Sequence, residues 1–171
     1  MTSTKRILKV LCAENTSWTH KIGAWAIKEA ENVDFNHFAY MTEFGMIYDA
    51  VLPKARKIPV SDWMNDFKIV RTYEIHLDAD VYNQFLTYIY DEVGKPYSIL
   101  QILLIYVSQT LKIAQKKISK ESFNGKNALI CSEFVARPIM DVLGVSFNID
   151  LDTIGMDELE SVLKTIAYRS Y

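Results

Sequence analysis

The chain has 171 residues, enough to bury one core and short for two, so a single domain over residues 1–171 is expected. Half of the residues are hydrophobic and 23% are charged, the composition of a globule and not of a disordered chain or a collagen-like repeat. Nineteen Lys and Arg against 21 Asp and Glu leave a net charge of -2, so no basic field draws a polyanion and nucleic acid is not an expected partner.

Cys12 and Cys131 are the only cysteines and could form one bridge at most, so a reducing compartment is expected. The N-terminal apolar stretch from Ile7 to Leu11 is short and interrupted by Lys9, unlike a signal peptide, and Leu11 before Cys12 is unlike a lipoprotein cleavage site. The longest apolar run, Tyr97 to Val107, falls well short of the ~20 residues needed to cross a bilayer. These features predict a chain without stable membrane insertion, cytoplasmic or released without a signal peptide. Lysines cluster between Lys112 and Lys126, and acids from Asp141 to Glu160; both stretches read as solvated faces.

In chain order, residues 5–12 read as a strand, and Trp18, Ile22, Trp25 and Ala26 place an amphipathic helix over 17–30 behind Asn15-Thr16-Ser17. Two strands follow, 37–42 and 46–51, joined by Glu43-Phe44-Gly45. A three-residue hairpin loop wants glycine in third place, where φ is positive. That loop sets Met41 against Ile47 and Ala39 against Asp49, so His37 and Asp49 emerge on one face as diagonal neighbours about 7 Å apart at the backbone. A two-residue loop would put them on opposite faces.

Strands are expected at 56–60 and 67–77. Asp78 is expected to cap a helix with Val81, Tyr82, Phe85, Tyr88, Ile89 and Val93 along one stripe, ended by Gly94 and Pro96. A more apolar helix is expected over 98–116. Another should run from Cys131 to Leu143, with Phe134, Val135, Ile139, Val142 and Leu143 inward and Gly144 just past its end. The last, from about Asp157 to Ala167, should bury Leu159, Val162, Leu163 and Ile166. The resulting fold class is α+β, an antiparallel sheet packed on helices.

Three histidines without metal-ligand spacing argue against a zinc site, and no phosphate loop, G-x-G-x-x-G or G-x-S-x-G is present, so no cofactor is expected. A cysteine and a histidine remain. Cys131 lies where a short apolar segment meets a helix, and unpaired N–H groups with the positive end of the dipole favour a thiolate there. The competing reading is a small core residue. His37 beside Asp49 can hold one ring nitrogen on the carboxylate and present the other to a thiol; the plainer alternative is a half-buried strand histidine. Aspartate is depleted in strands, so Asp49 between Met46-Ile47-Tyr48 and Ala50-Val51 needs a reason. His20, next to Lys21 on a helix, and His76, near Asp78, fit surface roles.

These segments resemble the NlpC-like cysteine hydrolases in their circularly permuted form, typified by YiiX-like proteins and related to the papain fold. The resemblance rests on Asn36-His37-Phe38-Ala39-Tyr40, Ile47-Tyr48-Asp49-Ala50, Gly94-Lys95-Pro96-Tyr97 and Cys131-Ser132-Glu133-Phe134-Val135, in the permuted order histidine, acid, cysteine. It spans approximately residue 17 to the C-terminus. It implies a permuted papain-like fold with Cys131 as nucleophile, His37 as general base and then acid, and Asp49 as the orienting third member. Asp49 stands where glutamate is common in the family, and Pro138 falls inside the helix that carries the cysteine.

The implied activity is hydrolysis of a peptide, amide or ester bond through an acyl-enzyme, on a peptide or acyl-amide substrate: a cell-wall peptide, an isopeptide or a lipid acyl group. Tyr97 either lines the substrate pocket or packs behind the Gly94 turn. Glu133 reads as a first-turn carboxylate favoured by the helix dipole. Trp18 and Trp25 read as core residues or as the border of a cleft. The alternative from a different class is a catalytically silent member serving as a structural or binding module in a larger assembly.

Overall fold

Leu8, Val10 and Cys12 alternate with Ile7, Lys9, Leu11 and Ala13, a period of two that suits a strand buried on both faces. In a computed structural model, which describes residues 5–16, 33–98, 101, 128–148, 150–151 and 154–170, this segment is the strand β1 (Lys5–Asn15). It is followed by β2 (His37–Met41), β3 (Met46–Val51), β4 (Lys54–Pro59), the single-turn helix α1 (Val60–Trp63) and β5 (Phe67–Asp78). Helices α2 (Ala79–Asp91), α3 (Cys131–Leu143) and α4 (Met156–Ile166) precede a short β6 (Tyr168–Ser170). The class is α+β: the six strands form one antiparallel sheet in the order β4-β3-β2-β1-β5-β6, with β1 inside it. Among the described residues no helix is long and apolar enough to cross a membrane.

The sheet divides two groups of buried side chains. One contains Val10, Cys12, Phe38, Tyr40, Tyr48 and Tyr73 with Phe85 of α2, Phe134 of α3 and Leu159 of α4. The other contains Leu11, Ala13, Ala39, Ile47 and Val51 with Trp63 of α1 and Phe67 of β5. Cys12 and Cys131 are both free, buried thiols.

Several boundaries differ from the sequence expectation. β1 continues past Cys12 to Asn15 because pairing with β5 carries it through Ala13, Glu14 and Asn15, whose own strand preference is weak. β4 starts at Lys54 and ends at Pro59, and Val60 opens α1 where a strand was expected to continue. Asp78 does stand at the N-cap of α2, yet its side chain makes no cap bond and pairs with Lys5 at 3.0 Å. The helices expected over 17–30 and 98–116, with Trp18, His20 and Trp25, and the lysines from Lys112 to Lys126, lie outside the described residues, apart from Ser98 and Gln101.

α3 matches the expected span. Gly144, at φ +67°, donates its N–H to the Met140 carbonyl and ends the helix. Phe134, Val135 and Ile139 are buried as expected, while Val142 and Leu143 are only partly so. Pro138 sits inside α3 without ending it. A proline withholds a donor from the carbonyl four residues earlier, here that of Phe134; one position along, the Tyr40 hydroxyl donates to the Val135 carbonyl at 2.5 Å. Tyr40→Phe should cost about 1–2 kcal/mol, read as a lower urea midpoint at unchanged slope.

The acidic stretch is not uniformly a solvated face. Glu160 is buried, accepting from the Tyr73 hydroxyl at 2.7 Å and from Lys164 at 3.0 Å, and it pairs with Arg71. It thereby ties α4 to β5. Along α4, Leu159 and Leu163 are buried, whereas Val162 and Ile166 are half-buried.

Candidate active site

His37 is the first residue of β2, and the residue before it fixes that start. Asn36 donates its N–H to the Ala13 carbonyl at 3.0 Å, and its side-chain oxygen accepts from the Asn15 N–H at 2.9 Å. The β2–β3 hairpin has the register that a three-residue loop requires: Met41 faces Ile47, Ala39 faces Asp49, and Gly45 takes φ +69°. His37 and Asp49 thus share a face. Nε2 of His37 lies 2.9 Å from Oδ2 of Asp49.

Asp49 is wholly buried, and the reason for an aspartate in this strand is the set of donors around it. Besides His37, Oδ2 accepts from the Trp63 indole N–H at 2.9 Å. Oδ1 accepts from Arg56 Nε at 2.9 Å, and Arg56 Nη2 reaches Oδ2 at 3.4 Å. Arg56 stands directly opposite Asp49 in the β3–β4 ladder. Burial works against the carboxylate charge, but the hydrogen bond and charge of His37, and then those of Arg56, outweigh it and hold Asp49 below its ordinary value. An ionised carboxylate only accepts, so Nε2 carries the proton of the shared bond.

The imidazole is also fixed by rings. Phe67 stacks on His37 with centroids 4.5 Å apart, and Trp63 stacks on Phe67 at 4.6 Å.

Cys131 opens α3, and its position follows from the segment that precedes the helix. The Leu129 N–H donates to the Pro96 carbonyl and the Ser98 N–H to the Leu129 carbonyl, each at 2.9 Å. On its other side the same 94–98 segment reaches the β3–β4 turn, where the Tyr97 N–H donates to the Pro53 carbonyl at 2.9 Å. Gly94-Lys95-Pro96-Tyr97 therefore bridges the hairpin that carries Asp49 and the start of α3. Ser132 anchors that start with a 2.8 Å bond to the Ile154 carbonyl. The N-cap residue, Ile130, provides no side-chain cap bond.

The three groups come together here. With Nε2 committed to Asp49, the other ring nitrogen of His37 is left for the Cys131 thiol, which lies close enough to interact with the imidazole. Burial disfavours a charged imidazole, but the bond to Asp49 and the nearby Cys131 sulfur more than compensate and push His37 up to about 9. Tyr97 lies half-buried beside them; burial and the nearby Cys131 sulfur push its phenol well above the ordinary range, so it remains a neutral donor.

No protein-family model and no curated protein matches the chain.

Cys131, His37, Asp49 and Tyr97 thus lie in one cluster, whereas His76 sits on β5 beside Glu74 and away from them. Glu133 differs from its expected role, being buried and bonded to Gln101 Nε2 at 3.0 Å and Arg137 Nε at 2.6 Å, so neighbouring side chains and not the dipole alone hold its charge. Sequence reasoning missed Arg56, Trp63 and Phe67. Arg56 was within reach: a two-residue turn at Leu52-Pro53 sets Val51 against Lys54 and hence Asp49 against Arg56. Trp63 and Phe67 carry no local signal, since only the packing of α1 and β5 under the sheet brings them to Asp49 and His37.

Proposed function

We propose that the chain is a thiol hydrolase of the permuted NlpC-like, papain-related kind, acting on an amide, peptide or ester bond. The observation that carries this reading is one imidazole hydrogen-bonded to a buried aspartate and set beside a cysteine at a helix start. In the proposed cycle the Cys131 thiolate attacks the carbonyl carbon and His37 protonates the leaving group, giving a thioester. His37 then takes a proton from water, whose oxygen attacks the thioester carbonyl and releases the acid and the thiol. Backbone N–H groups at the start of α3 and the Tyr97 hydroxyl are the donors available to the oxyanion. Asp49 keeps Nε2 protonated and stabilises the imidazolium.

Alkylation rates test the reading directly. Near neutral pH iodoacetamide should modify Cys131 much faster than Cys12, whose thiol burial and the nearby Glu160 push far up. His37→Ala should slow the Cys131 reaction and leave Cys12 unchanged. Acyl and peptidyl electrophiles then separate an esterase or acyltransferase from a peptidase. Equal, sluggish rates at both thiols would return the chain to the class of binding modules.

A further inference from the structure

The distances around Asp49 describe a carboxylate pulled two ways. Arg56 prefers to grip a carboxylate with two parallel N–H groups, yet here only Nε is close, at 2.9 Å, and Nη2 stands off at 3.4 Å from Oδ2. That oxygen is instead held at 2.9 Å by both His37 Nε2 and Trp63 Nε1. The terminal torsion of an aspartate is soft, so the carboxylate turns to whichever donors hold it. We propose that Trp63 is a positioning residue of the Cys131–His37–Asp49 site, whose buried indole N–H holds Oδ2 toward His37 against the competing grip of Arg56.

The effect on chemistry rests on the thiol-hydrolase reading; the effect on His37 does not. Without the indole donor the carboxylate relaxes onto the guanidinium and the bond to His37 lengthens. Among the described residues, the titratable or charged groups facing this pair are Asp49 from β3, Arg56 from β4 and Cys131 from α3, with Tyr97 reaching the sulfur. β1 presents Ala13 opposite His37, and α1 and β5 contribute only the rings of Trp63 and Phe67.

The test is the His37 titration midpoint, followed by NMR in Trp63→Phe, a variant that keeps an aromatic ring and removes the donor. The midpoint should fall from about 9 by about one pH unit, the worth of a hydrogen bond. Arg56→Gln alone should leave it in place or raise it, since a nearby cation is lost. Combined with Trp63→Phe, it should restore much of the shift, because the competing grip has gone.

A midpoint unmoved by Trp63→Phe, or a fall that Arg56→Gln does not rescue, overturns the proposal and leaves Trp63 as packing. Should Trp63→Phe fail to fold, the indole N–H resonance of the unaltered protein decides. It should move as His37 titrates, and an indifferent resonance overturns the proposal. Cys131 alkylation is read separately in the unaltered chain, so its failure would remove the hydrolase reading and leave the indole result standing.

Discussion

Asp49→Asn should cut acylation of Cys131 by an activated ester roughly 10³–10⁴-fold, the range expected when an orienting carboxylate is lost and the imidazole is left in the wrong tautomer. The loss follows from counting donors. Among the described residues, four N–H groups aim at Asp49: one from His37, one from Trp63 and two from Arg56. An amide offers one accepting oxygen and an NH2 that must itself find an acceptor. The only group of the four donors' owners that can become an acceptor is Nε2 of His37, and it does so by moving its proton to the nitrogen that faces Cys131. A neutral ring that already carries a proton toward the sulfur cannot take one from it. The same substitution leaves Arg56 short of its counter-charge at a site that is only partly exposed, so a loss of about 3 kcal/mol in unfolding free energy is expected. Pre-steady-state acylation and urea denaturation measure the two effects independently. Near-normal acylation with lowered stability would make Asp49 a structural anion and remove it from the site.

Such a count was not available from the sequence, though part of it was. The hairpin was legible because Gly45 admits one loop geometry, and a loop geometry fixes which side chains share a face. Asp49 was legible as an anomaly, an aspartate in a strand that otherwise reads Met-Ile-Tyr and Ala-Val. α3 was legible from end to end, since Cys131 follows an extended segment and Gly144 supplies the left-handed stop. The rest depends on tertiary placement. Nothing local marks Trp63 as a donor to a residue fourteen positions earlier, because a one-turn helix has too few residues to show a period. Glu133 read as a first-turn carboxylate held by the helix dipole and Glu160 as part of a solvated face, since only the fold brings Gln101 and Arg137 to one and Tyr73, Arg71 and Lys164 to the other. Charge pattern along a chain reports solvation only when no partner arrives from elsewhere.

The protein should lose stability as the pH rises from neutral to about 9, and most of that loss should disappear in His37→Gln. His37 protonates at about 9 in the folded chain against an ordinary 6.5, so folding favours the charged ring. That contribution is complete below pH 6.5, declines as the unfolded chain gives up its proton above that value, and is gone beyond about 9. The gap corresponds to about 3 kcal/mol, a sizeable part of the stability of a domain of this size. Asp49 works in the opposite sense: held below 3.8, it contributes above that pH and loses its contribution as the pH falls through its folded value. Since one hydrogen bond joins the two groups, they bound a single plateau from about pH 4 to 6.5. Tyr40 and Tyr97, kept protonated by burial, add a further alkaline loss once the unfolded phenols ionise near 10. They are common to both proteins, so the difference between unaltered chain and His37→Gln isolates the imidazole. Urea unfolding at pH 5.5 and 9 gives that difference, and parallel losses in the two proteins would show that the ring is not charged in the folded state.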